Sequence, residues 1–252
     1  MEKYLNKNIK EIIERYPETS RVLEEFNILC VNCNLATCLL KDVIEIHNLS
    51  EEDERKLFEK IGKIIYGKRE FKIPKLERKI KKEKINFSPP IRILVDEHVL
   101  IKECISLIPD ILKDCKIEIL HKITDFIRNF ADRFHHAKEE DYLFKYFDQN
   151  IEIINVMKSD HEKARNLIKN VISGIEDKNF DKIRENFSQY IELLNEHIKK
   201  EDEVLYPWMD RNLSISEVGQ IFSKFKEIEK EFGGDFYEKY KKEIENIKRR
   251  EI

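Results

Sequence analysis

Residues 134–144 read FHHAKEEDYLF: two adjacent histidines, a two-residue spacer, two adjacent glutamates, then an aromatic and aliphatic finish. On an α-helix, side chains four positions apart share a face. His135 and Glu139 therefore extend a line that begins with Ile127 and Ala131 and ends with Leu143. The line is apolar on either side of them, which predicts a core-facing helix carrying two polar groups inward. His136 lies about 100° further round an α-helix, and the expectation for it, and for Glu140, is a flank.

A second stretch repeats the pattern. Residues 197–207 read HIKKEDEVLYP, where Tyr190, Leu194, His197, Glu201 and Leu205 form another such line. Setting the stretches side by side places Leu143-Phe144 against Leu205-Tyr206, which pairs His135 with Glu139 rather than His136 with Glu140. Two further apolar stripes each pass through one histidine. Leu94, Ile101, Ile105, Ile108 and Leu112 include His98, and Ile154, Met157, Ala164 and Ile168 bracket His161.

These stripes predict four long helices, roughly 89–113, 117–147, 151–174 and 179–211. Ser88-Pro89-Pro90 starts the first, with serine as N-cap and proline in the first turn. Pro109 falls inside it and is expected to kink it or end it early. Short breaks between long helices imply antiparallel neighbours, hence a four-helix bundle. An ionised carboxylate left unpaired in such a core costs several kcal/mol. Six polar residues converging from four helices are satisfied most economically by metal, and mixed histidine and carboxylate sites in bundles suit two irons. His121 and His47 have no partner carboxylate in register and are expected at the surface or in caps.

With these residues in place, the chain resembles the hemerythrin-like HHE cation-binding family. The matching motifs are DEHVLI (96–101), HHAKEEDYLF (135–144), DHEKAR (160–165) and HIKKEDEVLYP (197–207). The resemblance implies a non-haem di-iron site, bridged by carboxylates and an oxo or hydroxo group, with His98, His135, Glu139, His161, His197 and Glu201 as metal ligands. Oxygen-carrying hemerythrins place a second histidine four residues along the third helix, where this chain has Arg165. Four histidines and two glutamates look instead like the di-iron RIC proteins, which repair iron–sulfur clusters damaged by nitric oxide or oxidants.

Working back to the N-terminus, an amphipathic segment from Ile9 to Phe26 precedes FNILCVNCNLATCLLKDVIEIHNLS (26–50), and a helix follows from Ser50 to Gly67. This region, about 5–66, resembles the redox-disulfide domain associated with hybrid cluster proteins. Cys30-x-x-Cys33 can cycle between dithiol and disulfide, with Cys38 resolving a mixed disulfide. Thiolate ligation of a metal, with Cys38 as third ligand and His47 the one nearby fourth candidate, and inert packing are the alternatives. Cys104 and Cys115 read as ordinary packing residues.

The expected organisation is all-α: a small cysteine-bearing helical domain (1–67), a basic linker with nine Lys/Arg (68–88), a hemerythrin-like di-iron bundle (89–212) and a C-terminal helical extension (213–252), broken at Gly233-Gly234. Six glycines and six prolines in 252 residues suit long helices, and a 38% charged fraction suits amphipathic ones. A net charge of −3 with both signs interspersed argues against nucleic acid as a partner. No run approaches the roughly 18–20 apolar residues that span a bilayer, and MEKYLNKNIK has no signal-peptide core, so no membrane partner and a cytoplasmic location are expected. The resemblances together imply stress defence, with O2 or NO as small ligand and damaged iron–sulfur or hybrid cluster proteins as partners. The alternative is an oxygen or nitric-oxide binding or sensing protein without turnover.

Overall fold

The computed structural model describes residues 1–26, 28, 39–47, 49–67, 69–74, 87–114, 116–149 and 151–251. Among them there is no β-strand, and the chain divides into two compact units, residues 1–84 and residues 85–252 apart from 151–153. The calls on Cys30, Cys33, Cys38 and Cys115 lie outside the described residues.

Among its described residues the first unit contains five helices: α1 (Glu2–Leu5), α2 (Ile9–Arg15), α3 (Thr19–Glu25), α4 (Leu40–Ile46) and α5 (Glu51–Tyr66). The amphipathic stretch from Ile9 is split in two because Pro17 disfavours the α conformation at Tyr16, which adopts φ −137° and ψ 77°. Leu23, Ile28, Leu40, Ile44, Leu57, Phe58 and Ile61 form the heart of an apolar core. At the start of α5 the Ser50 side chain accepts from the Asp53 N–H at 3.0 Å, and at its end Gly67 takes φ +62°. Gly62 lets the Phe71 ring pack close: a Cβ there would stand 2.1 Å from the ring and would have to displace it. His47, just past α4, is partly buried rather than at the surface, and burial lowers its pKa to about 4.

The second unit begins with α6 (Pro89–Asp114). This helix runs through Pro109 to Asp114, so the proline does not end it early. Buried Ile108 and Ile111 anchor it on both sides, and Pro109 itself sits on the exposed face. Ser88 binds outward from the helix start as well, its N–H donating to Asp210 at 3.1 Å.

The next helix is continuous but changes pitch. It comprises α7 (Ile117–Phe126), a π-helical segment (Ile127–His136) and α8 (Ala137–Asp141), then a 3-10 turn (Leu143–Tyr146). Gln149 closes that turn by donating to the carbonyls of Phe144 and Phe147 at 2.7 and 2.9 Å. α9 (Glu152–Glu176) and α10 (Phe180–Lys200) follow, and a second π segment (Glu201–Leu205) leads into α11 (Tyr206–Asn212). Asn179 caps α10 by accepting from Lys182 N–H at 3.0 Å.

The last two helices, α12 (Ile215–Glu231) and α13 (Phe236–Glu251), pack against α6 within the same compact unit. A capping box of Ser214 and Glu217 starts α12, and Gly233 with φ +94° separates it from α13. Phe232 and Phe236 pack on Phe134 with centroids 5.3 and 5.0 Å away, and Tyr240 donates to Asp125 at 2.8 Å. Among the described residues no helix is long and apolar enough to cross a membrane.

Candidate metal centre

The second unit buries polar residues that an ordinary helical core rejects. Glu97, His98, His135, His136, Lys138, Glu139, Asp160, His161, His197 and Glu201 are all at most 5% exposed. Apolar neighbours on the same helix faces put them there, since Leu94 and Ile101 flank His98, and Leu194 and Leu205 flank His197 and Glu201.

The six residues singled out from the sequence are brought together. His98 Nε2 lies 3.3 Å from Glu201 Oε2, and His197 Nε2 lies 3.2 Å from the same oxygen. Glu139 Oε2 stands 3.4 Å from His161 Nε2 and 3.7 Å from His135 Nε2. His161 and His197 approach at 3.0 Å between their Nε2 atoms.

His136 joins them. Stepping by α-helical angles puts it on a flank, but it is 3% exposed and its ring stacks on His161 with centroids 3.8 Å apart. The cause is the π segment that ends at His136. Its wider i→i+5 turn carries more residues, so successive side chains diverge less than on an α-helix, and both adjacent histidines turn inward. Of the others, His121 is exposed as expected.

The donor atoms fall into two groups, each confined within 4.8 Å: His98, His135, Glu139 and Glu201, and His136, Glu139, His161 and His197. Glu139 belongs to both. Several inward atoms have no hydrogen-bond partner, namely His135 Nε2, Glu139 Oε2 and both carboxylate oxygens of Glu201. Unpartnered buried polar atoms are costly, and a cation placed among them satisfies them together. The arrangement therefore fits a metal site.

Acids stand behind the imidazoles and bind three of them. His98 Nδ1 meets Asp202 at 2.7 Å, His135 Nδ1 meets Glu97 at 2.9 Å and His161 Nδ1 meets Glu140 at 2.6 Å. His197 Nδ1 lies 3.9 Å from Asp160, and His136 Nδ1 lies 3.6 Å from Asp132. Carboxylates at Nδ1 select the tautomer and aim Nε2 at a metal. Four of these five acids adjoin in sequence a residue of the cluster: Glu97 beside His98, Glu140 beside Glu139, Asp160 beside His161 and Asp202 beside Glu201. That adjacency was a readable signal which the sequence reasoning passed over.

Three more residues complete the surroundings. Tyr206 donates its hydroxyl to Glu139 Oε1. Buried Lys138 donates to Glu97 and lies 3.6 Å from the Phe134 ring centroid. Arg165, standing where a second helix-three histidine would be, donates to Asp132 at 2.6 Å and to Glu140 at 2.7 Å.

The metal-free cluster divides its protons unevenly. Burial and the charge of Glu201 push Glu139 well above the usual carboxylate range. Burial also works to raise Glu201, but His197 and His98 outweigh it and hold the group well below that range. Burial alone would lower His197, yet Glu201 and Asp160 raise it to about 9. Burial opposes protonation of His98 too, and Asp202 and Glu201 overcome it, so its pKa is raised. His135 and His161 fall well below the ordinary histidine value through burial and the neighbouring imidazoles, and burial lowers His136 as well. Burial raises Glu97 to about 7 against the opposing pull of Lys138.

Fold and donor set define an all-α protein with a carboxylate- and imidazole-lined cation site in its bundle. Residues 89–209, from the start of α6 into α11, match the family model of the Hemerythrin HHE cation binding domain. No curated protein and no solved structure matches the chain significantly.

Proposed function

We propose that the bundle holds two iron ions and that the protein is a non-haem di-iron protein of nitrosative and oxidative stress defence. The observation that supports this best is the pair of four-residue donor groups sharing Glu139. A shared carboxylate is the donor suited to bridging two metals, and terminal imidazoles on each side suit iron. His98, His135, Glu139 and Glu201 would hold one ion; His136, Glu139, His161 and His197 would hold the other. Bound iron supplies one-electron redox chemistry and a coordination position for O2 or NO.

The chain's own residues prepare that site. The hydrogen bond from Tyr206 fixes one oxygen of Glu139 and leaves the other turned toward His135 and His161. Asp202, Glu97 and Glu140 hold their imidazoles in one tautomer and orientation. Lys138 offsets the buried charge of Glu97, so that Glu97 can keep accepting from His135. Leu143, Phe144, Met157 and Tyr190, all buried, exclude bulk water.

Repair of iron–sulfur clusters is the specific task implied by the motif resemblance, with the Cys30/Cys33 pair as the thiol partner. One observation favours instead a binding or sensing role without turnover. His136 adds a fifth imidazole, and an additional donor holds iron more firmly, which opposes its release to a damaged cluster.

Metal analysis tests the reading. The purified chain should carry two irons, His161→Ala should lose one, and Glu139→Ala should lose both. Retention of both irons in Glu139→Ala would remove the basis for a shared carboxylate. Protons on His98, His197 and Glu139 must leave before these groups ligate, because each is raised. Iron loading is therefore expected to weaken as pH falls, with the proton on His197 to be displaced at any pH below about 9.

A further inference from the structure

π-helical turns are rare and usually come singly, yet ten residues, Ile127–His136, keep that pitch here. On the inner side of the segment, His135 Nε2 and His136 Nδ1 have no hydrogen-bond partner, so that side gives the wider turn little support. The other side is built differently. Phe126, Phe130, Phe134 and Lys138 stand at four-residue intervals along it, each at most 2% exposed.

The residues that cover this line come from α12 and α13. Tyr240 meets Phe126 and Phe130 with centroids 5.6 and 5.9 Å away, and Phe236 meets Phe130 and Phe134 at 6.3 and 5.0 Å. Rings attract at such separations. Phe236 is the centre of the set, because it also packs on Phe232 and Tyr240. At the end of the line, Lys138 Nζ lies 5.7 Å from the Phe225 ring centroid and 4.0 Å from Glu229, both on α12. Glu97 accepts from Lys138 and from His135, which carries that contact to the donor cluster. Both covering helices lie beyond residues 89–209, so this cover belongs to the chain and not to the matched domain.

Side chains on one helix turn together. Phe134 immediately precedes His135 and His136, so His136 swings outward only if Phe134 leaves its seat. We propose that the α12–α13 hairpin is a positioning element, whose rings hold the π segment in the phase that turns His136 into the second donor group. The consequence for metal rests on the di-iron reading, but the positioning itself can be tested without metal.

In the metal-free full-length chain, diethyl pyrocarbonate followed by peptide mapping should label His136 about tenfold faster in Phe236→Ala than in the parent. Labelling of His197, on α10, should not change. Phe236→Leu keeps apolar bulk and should label much as the parent does, and Phe232→Ala, which takes a ring from Phe134, is the milder form of the test. Ile183→Ala, a truncation at a buried position early in α10, controls for general loosening and should leave the ratio of His136 to His197 labelling unmoved. In the iron-loaded chain, Phe236→Ala should lower iron content from two toward one. Adding it to His136→Ala should lower it no further, since both changes act through one side chain.

His136 labelling unmoved in Phe236→Ala and Phe232→Ala, or raised equally by Ile183→Ala, would overturn the hairpin as a positioning element. So would a further loss of iron in the double variant. A chain that takes up no iron while its His136 labelling still depends on Phe236 would overturn the di-iron reading and uphold the hairpin's role.

Discussion

The two units solve the problem of a small helical core in opposite ways. Among the described residues of 1–84 the buried set is apolar but for Thr19 and Glu54. In residues 85–252 the buried set includes five histidines, three glutamates, one aspartate and one lysine. A domain is stable by only about 5–15 kcal/mol, so it cannot carry that many ionisable groups in its core without compensation. The difference shows that the described core of the first unit is held by hydrophobic burial, while the second needs its polar groups to satisfy one another or a cation.

The sharpest way to break this contrast is to remove metal. Chelation of the iron-loaded chain should destabilise the second unit by about 4 kcal/mol for each site filled at a thousandfold excess over Kd. Hydrogen exchange resolved by residue should register the loss in α6 to α11 and leave α2, α3 and α5 unchanged. Equal loss in both units would dissolve the distinction.

A slightly smaller effect tests the polar core without metal. Lys138→Ala leaves Glu97 buried without its cationic partner, and stranding a buried charge costs about 3–5 kcal/mol. The double variant Lys138→Met with Glu97→Gln should recover much of that loss, because neither change strands a charge. If Lys138→Ala alone were neutral in denaturant unfolding, the compensation assigned to Lys138 would be wrong.

The smallest expected change belongs to the apolar unit. Ser50→Ala removes the side chain that caps α5 and should cost about 1 kcal/mol. Exchange protection should fall in α5 while iron content stays the same. A change in iron content would mean the two regions are not governed separately.

Much of this was legible before any coordinates. The i, i+4 lines through His135-Glu139 and His197-Glu201, and the stripes through His98 and His161, pick out six residues that the fold brings together. They were readable because helix periodicity ties sequence spacing to direction. An early helix end at Pro109 was misleading for the converse reason: buried neighbours on both sides carry the helix past it. The split at Pro17 followed local preference, since Tyr16 adopts the extended conformation that a following proline favours. The acids behind the histidines were present as neighbours of the cluster residues, but the helix that each one serves is a matter of packing.

The sequence by itself determined the all-α class, the helix faces and the chemistry of the buried donors, because those follow from periodicity and residue type within one helix. Only the tertiary structure decided that Glu139 serves two donor groups, that His98, His135 and His161 each pair with an acid from another helix or segment, and that His136 turns inward. Those depend on the angular phase of the π segment and on distances between helices, and no spacing along a single chain encodes either.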